Sequence, residues 1–401
     1  MSGGPANMPH RILYLQSTSE ISGTDLTLLR TLEILDRKRF EPHVVLSREG
    51  PFGQEFRRIG CRVHLVPSMR QLSLHRGIGR LARHLFGYPA AVARIAALIR
   101  HERIDLVHTN TLHNPYGFLA ARLSGKPHVW HIREIVVQSP LLRRLEREMV
   151  VRFSNRFLVM DNAIAEMFLE RGGGLPANIA KLYDGVNLEQ FNPSVSGSRI
   201  RRELGIGEQV LLIGMVGRLD PAKGPDLFLE VAAHVLKEYP DARFWLCGGE
   251  IRGHEELGAA LEKQAADLGL SKQVLFTRWR YRFRDIPEVY AAINLCLATP
   301  RNPEPYGLWC VEAMASGVPI VTFDQGGPAE LCVNGKTAFL VPAGDISSAA
   351  DAVLRLLRNP QQALEMGLAG RRRAEDLFDQ HHCVRELEAV YESVLRKGSK
   401  C

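Results

Sequence analysis

Short apolar runs of strand length alternate with stretches of helical periodicity along this chain. In the first half the runs cover residues 11–16, 42–47, 62–67, 105–110, 127–132 and 156–160. A turn-rich stretch, YDGVNLEQFNP at 183–193, closes that series, and residues 194–197 read as a linker. A second series follows, with strands at 210–216, 242–247, 274–277, 294–298 and 320–323 and helices at 225–239 and 255–268. Strands alternating with helices predict a parallel, doubly wound sheet, here twice over. At 401 residues the chain is also too long for one ordinary core. Two α/β domains are the expectation, divided at about residue 191.

Function in such sheets gathers at the carboxyl ends of the strands. The stretch that marks this edge most clearly is PEPYGLWCVEAMASGVP, residues 303–319. Its pattern is a loop running into a short helix that Gly317 and Pro319 stop. Glu304 falls in the loop and Glu312 about one turn inside the helix. The N–H groups near Gly307, Leu308 and Trp309 become the unpaired donors of a helix N-terminus, an anion site. Two carboxylates around such a cradle suit a sugar attached to a diphosphate.

A second loop, GRLDPAKG at 217–224, puts Arg218 and Lys223 at another strand end, between two glycines. A diphosphate leaving group needs fixed positive charge, which arginine offers as a fork and lysine as a point charge. Arginine and lysine in a surface loop are usually only solvated, so the loop gains weight from sharing an edge with Glu304 and Glu312. In the first half the same rule marks Ser22–Gly23, His108–Asn110 and His131 with Arg133 and Glu134. His131, at a strand's carboxyl edge, could bind hydroxyls or move a proton. A hydrogen-bonded structural histidine is the competing reading.

Charge changes the picture in the first half only. Residues 1–190 carry 26 Lys and Arg against 17 Asp and Glu, net +9, while the remainder nets −2. That asymmetry invites an anionic partner such as a lipid surface, a phosphorylated acceptor or nucleic acid, or is simply a solvated arginine-rich face. Residues 69–103, with seven arginines and one acid, resemble a basic amphipathic element able to lie on anionic lipid. The match of residues 77–82 to G-x-G-x-x-A follows no strand, which rules out dinucleotide binding there. There is no P-loop, D-x-D, H-E-x-x-H, paired cysteine or G-x-S-x-G motif, so metal sites and serine hydrolysis find no support. Nothing resembles a helix-turn-helix, an RRM or an aromatic-basic repeat, and nucleic acid is set aside. Seven scattered cysteines, an N-terminus without signal-peptide order and the lack of an apolar run of about 18 residues point to the cytoplasm.

Taken together these stretches resemble the retaining, nucleotide-sugar-dependent glycosyltransferases of family 4 (group 1), with the GT-B fold. GRLDPAKG is similar to the family's G-R-L-x-x-x-K-G loop. PEPYGLWCVEAMASGVPIV is similar to its E-P-F-G-L…E-A-M-A-x-G-x-P-V-V element, and GGPAELCVNGKTAFLVPAGD to G-G-x-x-E…G-x-L-V-P-x-G-D. DGVNLEQFNP is similar to N-G-V-D-x-x-x-F-x-P, and SGTD at 22–25 loosely to the N-terminal G-G-x-E.

The resemblance implies two Rossmann-like domains facing across a cleft. Residues 1–191 would bind the acceptor, with a last helix within 380–401 packing back on them, and 192–379 would bind the donor. Arg218 and Lys223 would hold the diphosphate, Glu312 the ribose, and Glu304 the donor sugar's hydroxyls. The amides of Tyr306, Gly307 and Leu308 would help hold phosphate and sugar. His131 would match the family's active-site histidine, and Gly23 would approach the phosphate. The family works without a bound metal, and the donor would be a UDP- or GDP-sugar. The implied acceptor is a glycan or lipid-linked envelope precursor, met by a protein peripheral on the inner face of the cytoplasmic membrane. Three departures stand out. Ser22 replaces the family's first glycine, Asp184 and Asn187 replace its Asn and Asp, and Arg278 stands at a glycine position in the loop that meets the base. Arg278 or Trp279 could stack there; a surface cation–aromatic cluster is the alternative. From another class, a non-catalytic nucleotide-sugar-binding or scaffolding subunit is the second hypothesis, which the intact Arg218, Lys223, Glu304 and Glu312 argue against.

Overall fold

The computed structural model describes residues 8–16, 23–69, 78–112, 114–134, 140–169, 173–251 and 253–398. The chain divides into two compact units, one made of Met1–Gly185 with Gln380–Cys401 and the other of Val186–Asp379.

The first unit carries β1 (His10–Leu15), β2 (Phe40–Leu46), β3 (Arg62–Leu65), β4 (Leu106–Thr109), β5 (His128–Ile132), β6 (Arg156–Val159) and β7 (Ile179–Lys181). They form one sheet in the order β3-β2-β1-β4-β5-β6-β7, every pair parallel. The second unit carries β8 (Leu212–Val216), β9 (Arg243–Cys247), β10 (Val274–Phe276), β11 (Leu295–Ala298), β12 (Ile320–Phe323) and β13 (Phe339–Val341). Its order is β10-β9-β8-β11-β12-β13, again all parallel. Both sheets are doubly wound, the fold class the alternation predicts.

The central strands explain why the pattern is legible. Leu106–Thr109, Leu295–Ala298 and Ile320–Phe323 are buried at every position. A parallel strand covered by helices on both faces must be a continuous apolar run. In the second unit the helix Pro225–Val235 begins with proline in its first turn and buries Phe228, Leu229, Val231, Ala232 and Val235. That is one helical face, and each of its Phe, Leu and Val side chains contributes about 1.5–3 kcal/mol on leaving water. β7 and β13 escape the periodicity reading because they are three-residue edge strands with half-exposed positions.

The helix Ile78–His101 covers part of the basic stretch. Ala91, Val92, Ile95, Ala96 and Ile99 pack into the first unit's core with Leu13, Leu15, Val107 and Tyr116. The apolar stripe at residues 91–99 therefore packs on the sheet, while Arg94 and Arg100 are exposed. Residues 70–77 of the basic stretch lie outside the described residues. No described helix is long and apolar enough to cross a membrane. The helix Gln380–Gly398 belongs to the first unit, where Glu388 accepts from the Asp36 amide at 2.8 Å and pairs with Arg39 at 3.0 Å.

Candidate active site

In each sheet the strand order reverses once, between β1 and β4 and between β8 and β11. Chains leaving such neighbours diverge to opposite faces and open a crevice at their carboxyl ends. Residues 217–224 follow β8 and residues 299–307 follow β11, so the two sequence motifs flank the second unit's crevice.

Backbone contacts tie these loops together. The Arg301 amide donates to the Ala222 carbonyl at 2.8 Å, and the Thr299 hydroxyl to the Gly224 carbonyl at 2.8 Å. Gly224 has φ +63, and a Cβ there would lie 2.0 Å from the Thr299 oxygen, so only glycine fits. Asp220 caps the turn Pro221–Lys223 through the Ala222 amide and lies 3.8 Å from Arg218. This presents Lys223 to Glu304: Nζ and Oε1 are 2.6 Å apart, with side chains 26% and 9% exposed. The Trp309 indole N–H donates to the other Glu304 oxygen at 3.1 Å. The Gly327 amide, at the start of the helix Gly326–Leu331 that follows β12, donates to the Glu304 carbonyl at 2.7 Å. Glu304 is thus held from the turn Pro221–Lys223, the helix Leu308–Ala315 and the helix Gly326–Leu331.

Gly307, at φ +77, turns the chain into the helix Leu308–Ala315. The free N–H groups of that first turn give the crevice a partial positive charge. Tyr306 is buried beside this turn, and Glu312, one turn inside the helix, is 5% exposed. Arg278 is placed differently. It follows β10, pairs with Glu250, and reaches Glu262 at 2.7 Å, so its charge is already compensated. Its φ is +50, the left-handed conformation that favours glycine. Its neighbour Trp279 is 42% exposed and donates to the Glu250 carbonyl at 3.0 Å.

The first unit has its own crevice, a pocket lined by Tyr14, His108, Asn110, His131, Arg133 and Asp184 among others. His131 lies in β5, one residue before the strand ends at Ile132, the end the sequence pattern gives. Arg133 is pinned by Asp184, by the Asn110 side-chain oxygen at 2.8 Å, and by His131 Nδ1 at 3.4 Å from Nη2. Burial first, and then the Arg133 charge, push the His108 and His131 pKa values well down, so both imidazoles are neutral. The Nε2 atoms of both are buried without a hydrogen-bond partner. Each such orphan costs about 1–3 kcal/mol if nothing occupies the pocket. Gly23 opens the helix Gly23–Ile34, and a Cβ there would meet nothing within 4 Å. Ser22 lies outside the described residues.

Sequence reasoning missed Trp309 as the second partner of Glu304, Thr299 as the brace of Gly224, and Tyr391, whose hydroxyl is 2.7 Å from His108 Nδ1. Trp309 was within reach, as an N–H two residues past the turn glycine. Tyr391 lies 283 residues from His108 and leaves no local signal.

Two α/β sheets with loop-built crevices at their carboxyl ends define a GT-B glycosyltransferase architecture. The family described as glycosyl transferases group 1 matches residues 197–373, and that described as glycosyl transferase 4-like domain matches residues 22–180. The chain belongs to the group 1, family 4 glycosyltransferases. It is 30% identical over 277 residues to a D-inositol 3-phosphate glycosyltransferase of Corynebacterium urealyticum, a stretch that is 68% of this chain and 62% of that protein. It is 25% identical to a UDP-Gal:alpha-D-GlcNAc-diphosphoundecaprenol alpha-1,3-galactosyltransferase of Escherichia coli, over 86% of this chain and 87% of the relative. The crystal structure of Anabaena HepE in complex with UDP-glucose superposes with a TM-score of 0.80 at 25% identity, covering 96% of this chain and 99% of that one.

Proposed function

We propose that this protein moves a hexosyl group from a UDP-sugar to a hydroxyl of a phosphorylated or lipid-linked acceptor, with retention at the anomeric carbon. The observation that carries the reading is the Lys223–Glu304 pair at the second unit's switch point, beside the N-terminus of the helix Leu308–Ala315. Lys223 and Arg218 bind the diphosphate, with the amides of Gly307 and Leu308 supporting it. Glu304, held by Trp309, accepts from hydroxyls of the donor sugar. Glu312 binds the ribose. Arg278 is occupied by two carboxylates, so base stacking falls to Trp279. In the first unit, His131 donates to a sugar oxygen. UDP is preferred among the nucleotides because the HepE complex holds UDP-glucose and the galactosyltransferase relative is named for UDP-Gal.

Chemically, the anomeric carbon–phosphate oxygen bond breaks and a bond to the acceptor oxygen forms on the same face. The acceptor's proton passes to the departing phosphate. Fixed positive charge on that phosphate lowers the barrier as its negative charge grows. The phosphorylated or lipid-linked acceptor rests on what the relatives are named for and on the basic first half; flotation with anionic vesicles tests a membrane contact. The deciding experiment is a thermal-shift panel of UDP-, GDP- and ADP-sugars, in which stabilisation follows affinity. UDP-sugars should raise the Tm most. No shift with any nucleotide sugar, together with full activity in Glu304→Ala, would overturn the reading.

A further inference from the structure

Leu13, Leu15 and Val45 pack against the helix Ile78–His101. Side chains two apart on a strand share a face, so His43 in β2 looks the same way as Val45. Register pairs Val45 with His64, which puts His64 of the edge strand β3 on that face too. There they meet Glu102, the first residue beyond the helix. One nitrogen of each histidine and one oxygen of Glu102 lie within 4.8 Å of one another. β4 begins only at Leu106, so Glu102 stands at the amino edge of the sheet, away from the crevice at the carboxyl ends.

The surroundings of His43 are those of a metal ligand. It is fully buried, and its Nδ1 is 3.1 Å from His64 Nε2. Two nitrogens on a tetrahedral zinc, each about 2.05 Å from the ion, are about 3.3 Å apart. The other His43 nitrogen, Nε2, is buried without a hydrogen-bond partner and lies 3.5 Å from Glu41 Oε1. A carboxylate there keeps the proton on Nε2 and leaves the Nδ1 lone pair free, which is how metal-bound histidines are oriented. Glu41 is itself fixed by Arg11 at 3.2 Å and Arg62 at 3.0 Å. The two rings are within 11° of parallel, so without an ion His64 Nε2–H donates to His43 Nδ1. An ion takes the place of that proton, which moves to His64 Nδ1, and a small turn of the half-buried His64 brings both lone pairs onto one point. Glu102 has two competing partners, Arg62 at 3.6 Å and His101 at 3.1 Å, whose side chains are 57% and 83% exposed. Such exposed pairs are weak and yield to an ion at little cost.

We propose that His43, His64 and Glu102 bind a divalent transition-metal ion of the zinc type, with water as the fourth ligand, and that Glu41 orients His43. Two imidazoles and one carboxylate suit zinc, whereas magnesium and calcium take oxygen ligands. The ion clamps the edge strand β3 to β2 and to the end of the helix Ile78–His101. It stabilises the first unit and takes no part in glycosyl transfer, so the inference stands apart from the glycosyltransferase reading.

The test uses the full chain without a histidine tag, stripped with a chelator and titrated with Zn2+ in competition with a chromophoric chelator. The wild type should take up one equivalent of Zn2+, and its Tm should rise with Zn2+ and not with Mg2+. His64→Gln and Glu102→Gln, at half-buried positions, should each weaken Zn2+ by at least about 100-fold, and Glu41→Gln by about 10-fold, as for a residue that orients a ligand. Co2+ should give the visible bands of a four-coordinate ion without the near-ultraviolet band of a thiolate ligand. Should a variant not fold, the wild-type stoichiometry and the Co2+ spectrum still decide. No stoichiometric uptake of Zn2+ would reduce the cluster to a hydrogen-bonded histidine pair and overturn the proposal. Equal affinity in the wild type and the ligand variants, a thiolate band with Co2+, or an equal rise in Tm with Mg2+ would each overturn it as well.

Discussion

Glu304 and Lys223 make opposite predictions for nucleotide binding. Their 2.6 Å contact has a Coulomb energy of roughly 6 kcal/mol at an effective dielectric of about 20. Lys223 is 26% exposed, so solvent competes, and the net coupling reduces to about 1–2 kcal/mol. A diphosphate must draw Lys223 away from Glu304 or share it, next to a carboxylate of its own sign. Lys223→Ala should therefore weaken UDP by about 10–100-fold, the loss of one charge-assisted hydrogen bond. Glu304→Gln keeps the Trp309 contact, removes the competing charge, and should tighten UDP by about 5–30-fold, the same 1–2 kcal/mol read as affinity. Its turnover should nevertheless collapse, because the sugar loses its carboxylate. Isothermal titration with UDP on both variants and on the double variant closes the cycle. In the double variant the gain from Glu304→Gln should vanish, since there is no lysine left to release. If Glu304→Gln weakens UDP, or if its effect is the same with and without Lys223, the pair does not compete with phosphate and the argument fails.

Three further outcomes follow from the local physics. Gly224→Ala puts a methyl 2.0 Å from the Thr299 oxygen at φ +63, so urea unfolding should show a loss of at least about 2 kcal/mol and UDP binding should fall with it. Arg103 ends the helix Ile78–His101 at φ +51, with Ile104 donating back to the Ile99 carbonyl at 2.9 Å. Glycine belongs at that left-handed position, so Arg103→Gly should stabilise the protein by about 0.5–1 kcal/mol, read as a raised midpoint in urea. His128, 2.8 Å from the Thr109 hydroxyl, has its pKa pushed from 6.5 to about 3 by burial. Between those values the unfolded chain takes up a proton that the folded chain refuses, so stability is full above pH 6.5 and falls as the pH drops. The slope is about 1.4 kcal/mol per pH unit for each such histidine, and His108 and His131 add in the same direction. His128→Gln should flatten a urea-midpoint profile between pH 6.5 and 5, and an unchanged slope would remove the burial argument.

The two crevices differ in how far they could be read from sequence, and the difference is one of chain distance. Glu304, Gly307, Leu308 and Glu312 stand on one loop and the first turns of one helix. Lys223 reaches them because its loop leaves the neighbouring strand, an adjacency that the doubly wound pattern implies. Even the glycines follow from it, since Gly224 and Gly326 are where neighbouring loops cross backbone to backbone. Arg278 is legible by contrast: the sequence reading expects a glycine there, and its φ of +50 is the left-handed conformation that favours glycine. Glu250 and Glu262 fix its guanidinium.

The first crevice has no such economy. His108, His131 and Arg133 each look like a polar residue near a strand end, for which a structural role is the ordinary explanation. Their meaning depends on groups that arrive from elsewhere: Asp184 from the end of the first unit's main segment, and Tyr391 from a helix beyond the whole second unit. Arg133 and Tyr391 face the Nδ1 atoms, and both Nε2 atoms are left buried without a hydrogen-bond partner. A tautomer is set by its partner and not by its own residue type. No local pattern could carry it, because Tyr391 arrives from far along the chain.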